Sequence, residues 1–414
     1  MKHFVRPRLI SSSNNPARIL AVALSGAVVL LIACAAQAQT MNLLYHFAGP
    51  VYSTSSGVTI AGANLYGTGT GGEGGYVYEL RHSESGYTLN LLHSFAPPSD
   101  GAIPLGGVVF GREGELYGAT SSSFGTGTGT VFDVRPSATI CDSALCPWME
   151  TVINRFSFQD GSAPQYGELA TDPAGNLYGT TLYGGTYDEG VVYQLSPSGD
   201  GWTENVLYSF GTGGQYDGSY PLHNVILDRA GNIYGTTSLG GPNGYGTVFQ
   251  LVPSGSGWTE NILVSFPELN TGNCVSSGLI IDDAGNLYGA TSGCNGYPGT
   301  ASVFELSPSG SGWQLNVLHS FTLSTGNVGP VGNLVMDSSG NLYGITESYG
   351  PSGNGNFFKL SPSANGWVYT DLYDFPSGYQ ESPVGDLAID ANGNIYGTSS
   401  GESESYGSVW EFTP

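Results

Sequence analysis

Seven copies of the phrase Leu/Ile-Tyr-Gly recur at a regular period in this chain, their tyrosines at Tyr66, Tyr117, Tyr178, Tyr234, Tyr288, Tyr343 and Tyr396, at intervals of 51, 61, 56, 54, 55 and 53 residues. A period of this length signals a stack or ring of similar units, each too small to bury its own hydrophobic face. One unit reads cleanly from Pro221 to Phe266. Strand a is His223 to Asp228, followed by the turn Arg229-Ala230-Gly231, and strand b is Asn232 to Thr237. After a glycine-rich loop come strand c, Gly246 to Leu251, the turn Pro253 to Gly257, and strand d, Trp258 to Phe266. Short β-branched and aromatic runs between Gly/Pro/Asn/Asp turns predict a four-stranded antiparallel meander. No segment beyond the N-terminal leader shows a 3.6-residue period, so essentially no helix is expected.

The ends of the repeat region choose between a ring and an open stack. A lone d strand, Asn42 to Phe47, precedes the first full unit, and the last unit stops after its c strand, Gly407 to Phe412. Pairing the two closes a circle and removes an exposed edge. The expectation is an all-β, seven-bladed β-propeller of four-stranded antiparallel blades over 39–414, closed by the N-terminal strand. In such a ring the tyrosine fills the wedge between blades and the glycine permits close backbone approach. Trp148, Trp202, Trp258, Trp313 and Trp367, which open successive d strands, take similar packing roles. Asp-x-x-Gly-Asn at Asp172, Asp228, Asp282, Asp337 and Asp390 lacks the further ligands of a calcium loop and reads as turn chemistry.

Residues 1–38 carry Lys2, Arg6, Arg8 and Arg18, an apolar run from Ile19 to Ala36, and Ala36-Gln37-Ala38 before Gln39. This is the pattern of a signal peptide cleaved near Ala38. The alternative is a lipoprotein, with Leu31-Ile32-Ala33-Cys34 serving as a lipobox and the lipid on Cys34. Either leader predicts a secreted, periplasmic or cell-surface protein. Removing it takes four of the ten basic residues and none of the 33 acidic ones, so the net charge goes from −23 to −27. A surface of that sign excludes nucleic acid and anionic membrane as partners, because both require clustered Lys/Arg.

Four cysteines remain after export, an even number suited to an oxidising compartment. Cys141 and Cys146 sit in an insertion, Thr139 to Pro147. Between Cys274 and Cys294 lies Asp282-Asp283-Ala284-Gly285-Asn286, a three-residue hairpin loop with Gly285 left-handed. In that register Ile280 faces Tyr288 and Cys274 faces Cys294. A disulfide there would close a loop of roughly 21 residues, worth about 3 kcal/mol.

The recurring GNLYGTT…GG…GTVFQLSPSGSGWTENVLYSF resembles the GloVer tandem repeat of secreted bacterial proteins, a family with varied surface anchors. The resemblance covers essentially all of 41–414. Blades 1 and 2 depart from it: Gly62-Ala63-Asn64 lacks the turn aspartate, and Gly111 to Glu115 replaces it. The resemblance implies an extracytoplasmic propeller and no particular reaction.

No triad, thiol nucleophile or zinc spacing is evident, and the histidines His46, His82, His93, His223 and His319 form no metal pair. His93 and His319 stand where other d strands have Tyr45, Tyr208 and Tyr373, as packing or edge residues. In a meander the d–a and b–c connections emerge on one face and the a–b and c–d turns on the other. The first set varies between blades and is rich in Gly, Ser, Tyr and acids, including Tyr183, Tyr187, Tyr216, Tyr245, Tyr297, Tyr349 and Tyr406. Rigid aromatics among small polar residues have the composition of a binding surface. Four residues before each turn aspartate, strand a should present Glu168, Asn224, Gly278, Asn333 and Asp386 to the central channel, with Gly107 their counterpart in blade 2. Such oxygens could hold Ca²⁺ or Mg²⁺, a set that resembles the metal centre of lactonase-type propellers. Residues more than about 8 Å apart could not share one ion at its ligand distances. The favoured alternative is a polar ring around a wide water-filled channel. The functional expectation is a non-enzymatic binding or scaffold module, a monomer, for an extracellular glycan or protein. Its rival is a metal-dependent lactonase or lyase with Glu168, Asn224, Asn333 and Asp386 at the channel mouth.

Overall fold

Seven antiparallel sheets of four principal strands follow one another around an axis, so the chain is a seven-bladed β-propeller. The computed structural model describes residues 39–47, 54, 56–122, 128–137, 148–199, 201–255, 257–266, 274–292, 300–310, 312–322, 329–376, 381–401 and 407–414. The propeller is the unit Met41–Thr413; the other unit, Met1–Thr40 with Pro414, lies almost wholly outside the described residues. The leader 1–38 with its cleavage site and Cys34 also falls outside them, as do Cys141, Cys146, Cys294, Tyr297 and Tyr406. The described residues hold one helical turn, the 3-10 segment Gly214–Tyr216, and no α-helix.

Blade 4 has strands Ile226–Leu227, Ile233–Thr237, Thr247–Ser254 and Gly257–Ser265 in that order. Closure occurs as expected. Thr40–His46 forms the outer strand of the last blade beside Ser408–Thr413, and the Phe47 N–H donates to the Gly407 carbonyl at 3.1 Å.

No blade buries its own faces, and the core is a ring of clusters between neighbours. Tyr234, Val248 and Phe266 of blade 4 pack with Leu279, Leu287, Phe304 and Leu306 of blade 5. Phe47, Tyr396 and Val409 pack with Leu65, Tyr76, Tyr78 and Leu80 where the circle closes. The repeated Tyr-Gly phrase serves this contact twice over. Tyr234 lies edge-on to Trp313 of the next blade, with centroids 6.2 Å apart. A Cβ on Gly235 would come within 2.5 Å of Phe249 Cζ on the paired strand, so glycine makes room for that ring.

The a–b turns are built alike. Asp228 Oδ1 accepts the N–H groups of Ala230 and Asn232, while its Oδ2 accepts from Asn232 Nδ2 (2.7 Å) and the Tyr234 hydroxyl (3.0 Å). The same set recurs at Asp172, Asp282, Asp337 and Asp390. Where blades 1 and 2 lack the aspartate, Glu79 and Glu115 accept the hydroxyls of Tyr66 and Tyr117 instead.

Strand a carries an insertion against strand b. In blade 6, Val331↔Ile345 and Val335↔Tyr343 enclose three residues on strand a and one on strand b. Blade 7 repeats this between Val384 and Ala388. In blade 5 the predicted pair Ile280↔Tyr288 holds, but the same insertion sets Cys274 opposite Ser292 and not residue 294. The direct cross-strand facing derived from the turn is therefore corrected by two residues. Cys274 is disulfide-bonded.

Candidate functional site

The insertion in strand a makes the site. Extra backbone on the innermost strand bends toward the axis and carries the residue four before the turn aspartate with it. Seven side chains have no room there, and glycines supply the space. A Cβ on Gly107 would strike the Glu168 carboxylate, and one on Gly278 would lie 2.6 Å from Asn333 Oδ1 and also collide with Asn224 Oδ1.

Three of the four polar residues, Asn224, Asn333 and Asp386, meet across the axis through Asn333. Its N–H donates to Asp386 Oδ1 (2.7 Å), and its Nδ2 donates to Asp386 Oδ2 and Asn224 Oδ1, both at 3.0 Å. Its Oδ1 accepts the Gly278 N–H at 2.7 Å. The channel at this level is bridged, in contrast to the wide water-filled passage that the sequence suggests. The side chains are half-buried: the channel exposes part of each, and blades on every side keep bulk solvent away. Burial, and then the Asp386 charge, pushes the Glu168 carboxyl up to about 8. Burial pushes Asp386 up to about 6 against the opposing Asn333 N–H.

The donor set does not fit a divalent-ion cage. Asn333 Nδ2 occupies the place between the Asn224 and Asp386 oxygens where a cation would sit. The Gly278 N–H holds the amide in that orientation, because turning it over would set two donors against each other.

On the side of the d–a and b–c loops, the bridged ring floors a cavity of about 540 Å³. Leu105, Tyr166, Leu222, Val331 and Val384 line its wall, and they belong to the strand-a segments of blades 2, 3, 4, 6 and 7. Each stands two residues before an axial residue, as side-chain alternation on a strand requires. His223, Glu347 and Asp386 also line it. Spacing from the turn finds the floor, but this collar was missed, and a period of two applied once more would have found it.

Exposed aromatic rings stand on the d–a and b–c loops of blades 3 and 4, on the same side as the cavity, and one of them, Tyr166, lines it. Phe158, Tyr166, Tyr183, Tyr187 and Tyr216 are 57, 44, 42, 54 and 57% exposed. Their loops are stitched together: the Gly185 N–H donates to the Phe158 carbonyl, Ser162 bridges Tyr183, and Tyr183 meets Tyr220 edge-on at 5.6 Å. Of the tyrosines picked from sequence, Tyr187 and Tyr216 join this platform. Tyr245 and Tyr349 do not: Tyr245 packs on the core between blades 4 and 5, and Tyr349 packs edge-on against Phe321 at 5.2 Å.

A second acidic feature lies between the outer parts of blades 1 to 4. His93, Asp100 and Glu150 place one ligand atom each within 4.8 Å of one another, with His93 Nε2 3.0 Å from Asp100 Oδ2. At the equivalent place further round, Tyr208 hydroxyl lies 3.0 Å from Asp217 and 3.1 Å from Glu260. Between them, Asn154 Nδ2 donates to Glu204. His319 takes the same position but stacks on Tyr369 at 4.2 Å, a packing role as expected.

The sequence model of the Gloeobacter/Verrucomicrobia repeat matches residues 147–329 and 261–414. No curated protein matches the chain. Among solved structures it is similar to a protein assigned as a gluconolactonase, with 14% identity, 91% of this chain and 92% of that one covered, and a TM-score of 0.40. It is also similar to a Thermus thermophilus protein assigned as an oxidoreductase (glucose dehydrogenase), with 14% identity, 91% and 100% coverage and a TM-score of 0.44. At that distance neither likeness bears on chemistry.

Proposed function

The chain belongs to the Gloeobacter/Verrucomicrobia repeat family, and from that premise we propose that it is an extracytoplasmic, non-enzymatic binding module for a glycan. One observation carries the proposal: exposed aromatic rings on the d–a and b–c loops of blades 3 and 4 share a face with an axial cavity of about 540 Å³ that has an apolar collar and a polar floor, and one of them, Tyr166, lines it. Sugar rings present C–H faces that pack on aromatic planes, and their hydroxyls suit a few convergent polar groups. The opposite face offers near-identical Asp-Asn-Tyr turns whose hydrogen bonds are already spent. A lactonase or lyase reading draws no support from the axial residues, whose donors fill the place of the ion.

Glycan-array screening followed by titration calorimetry tests the proposal. Replacing Tyr187 and Tyr216 together by alanine should weaken the bound glycan about tenfold while leaving thermal stability unchanged, since both rings are mostly exposed. An array without a bound glycan, or one whose binding ignores both substitutions and any change in the cavity, would sink it. Capture of a protein ligand at this face would replace the glycan by the other expected partner.

A further inference from the structure

Blades 1 to 4 meet at three interfaces built on one plan, and the first departs from the other two. Each sets a glutamate of an outer strand, Glu150, Glu204 or Glu260, near an aspartate of the preceding d–a loop, Asp100, Asp160 or Asp217. The third member comes from the outer strand of the blade before. Asn154 Nδ2 donates to Glu204 Oε2 at 3.0 Å, and the Tyr208 hydroxyl lies 3.1 Å from Glu260 Oε2. At the first interface the third member is His93, whose Nε2 lies 3.0 Å from Asp100 Oδ2 and leaves Glu150 alone. Glu150 makes no hydrogen bond among the described residues, and its Oε1 is buried without a partner. Yet Glu150 offers a carboxylate oxygen within 4.8 Å of both a His93 ring nitrogen and an Asp100 oxygen. His319, at the position of His93 in blade 5, stacks instead on Tyr369, which stands in the place of the glutamate.

We propose that His93, Asp100 and Glu150 bind Zn²⁺, which ties the outer strand of blade 1 to that of blade 2. The inference is independent of the glycan reading, which concerns other residues. One imidazole with two carboxylates suits zinc, with the fourth position left to water, whereas Ca²⁺ would need six to eight oxygens. Tetrahedral zinc donors stand about 3.3 Å from one another. His93 and Asp100 already lie at 3.0 Å, so Glu150 alone must draw in, by about 1.5 Å at most from the 4.8 Å limit, and no hydrogen bond holds it back. Asp100 is set in place beforehand. The Ala96 N–H spans both its oxygens, at 2.8 and 3.0 Å, which orients the carboxylate and leaves lone pairs for an ion. An ion can reach the site, because the side chains of His93 and Asp100 are 19 and 12% exposed. Zinc takes the place of the proton that burial leaves on Glu150 in the metal-free fold.

Calorimetric titration of the purified, tag-free protein with ZnCl₂, after stripping with EDTA, tests this. One ion should bind per chain, and zinc at a hundredfold excess over Kd should raise the melting temperature by about 2 °C. E150Q keeps the shape of a side chain with no hydrogen bond to lose, and should weaken binding at least about tenfold. H93F keeps an aromatic ring against Phe95 and should abolish binding. H319F and E204Q, outside the site, should bind zinc as the parent does. X-ray absorption at the zinc edge, which needs no variant, should read one imidazole among oxygen neighbours. No binding at submillimolar zinc, binding unchanged in both E150Q and H93F, or binding lost in H319F would overturn the assignment. A second imidazole or a sulfur around the ion, or its displacement by millimolar Ca²⁺, would overturn it equally.

Discussion

Asn333 spends every polar atom it has, apart from its carbonyl, on the axial ring: two donors go to Asp386, one to Asn224, and its oxygen goes to Gly278. Alanine there would leave the Gly278 N–H, Asp386 Oδ2 and Asn224 Oδ1 to whatever water the channel admits. Asn333→Ala should therefore cost about 2 kcal/mol in denaturant unfolding. Asn333→Asp should cost more, and increasingly so above pH 6, because it sets a carboxylate against Asp386. A loss below about 0.5 kcal/mol for both would mean that the ring is solvated and unbridged. The four polar residues were legible because each stands a fixed count before an unmistakable turn. That Asn224, Asn333 and Asp386 touch was not, since contact depends on Gly278 vacating the axis for its neighbours, and a glycine in a glycine-rich chain carries no such label. Tyr166 and His223 were illegible for a related reason: a strand-a residue reads as packing until the bend of that strand is known.

At the scale of the strand and turn, local chemistry was read well and insertions were not. The Asp-x-x-Gly-Asn turn fixed the Ile280↔Tyr288 register from sequence alone, because a left-handed Gly285 admits one hairpin geometry. Two extra residues on strand a leave no mark in composition, and so the same count failed at Cys274. The turn also explains why tyrosine and not phenylalanine recurs: its hydroxyl joins two backbone N–H groups and an asparagine amide around a single carboxylate. Asp228→Ala releases that set at once and should cost about 2–3 kcal/mol, whereas Tyr234→Phe, which removes one bond, should cost about 1 kcal/mol. Chemical denaturation of the two variants checks the ordering. If the phenylalanine variant proved the costlier, the turn would not be what the tyrosine serves.

For the whole molecule, circular closure was legible because it follows from counting strands, and the electrostatics of the blade interfaces was not. Burial first, and then Asp100, pushes Glu150 up to about 7; burial and Asp160 push Glu204 up to about 7; burial and Asp217 push Glu260 up to about 8. At the third interface one tyrosine proton cannot serve two carboxylates, so a protonated Glu260 donates to Tyr208 while Tyr208 donates to Asp217. With Glu168 at about 8, four glutamates hold protons in the fold that they release when it opens near neutrality, and Asp386 at about 6 joins them in mild acid. A raised folded value gives stability that is complete below the unfolded value, near 4.5 for glutamate, and is lost as pH rises through the folded one. The turn aspartates act in the opposite sense. Burial works against their charge, but the bonds from Asn176 to Asp172, and their counterparts elsewhere, outweigh it and hold these carboxyls low. Their contribution is present above about 3.9 and is lost as pH falls through the lowered values. Between the two effects the melting temperature should peak near pH 5. It should fall by on the order of 5 °C toward pH 8.5 and fall again below pH 3, as read by scanning calorimetry at fixed ionic strength. Glu260→Gln keeps the neutral shape and removes the charge that alkali forces on that interface, so it should flatten the alkaline limb while scarcely altering stability at pH 5. A melting temperature that rises from pH 5 to 8.5, or an alkaline limb unmoved by Glu260→Gln, would mean that water reaches these interfaces and the acid pairs ionise freely within the closed ring.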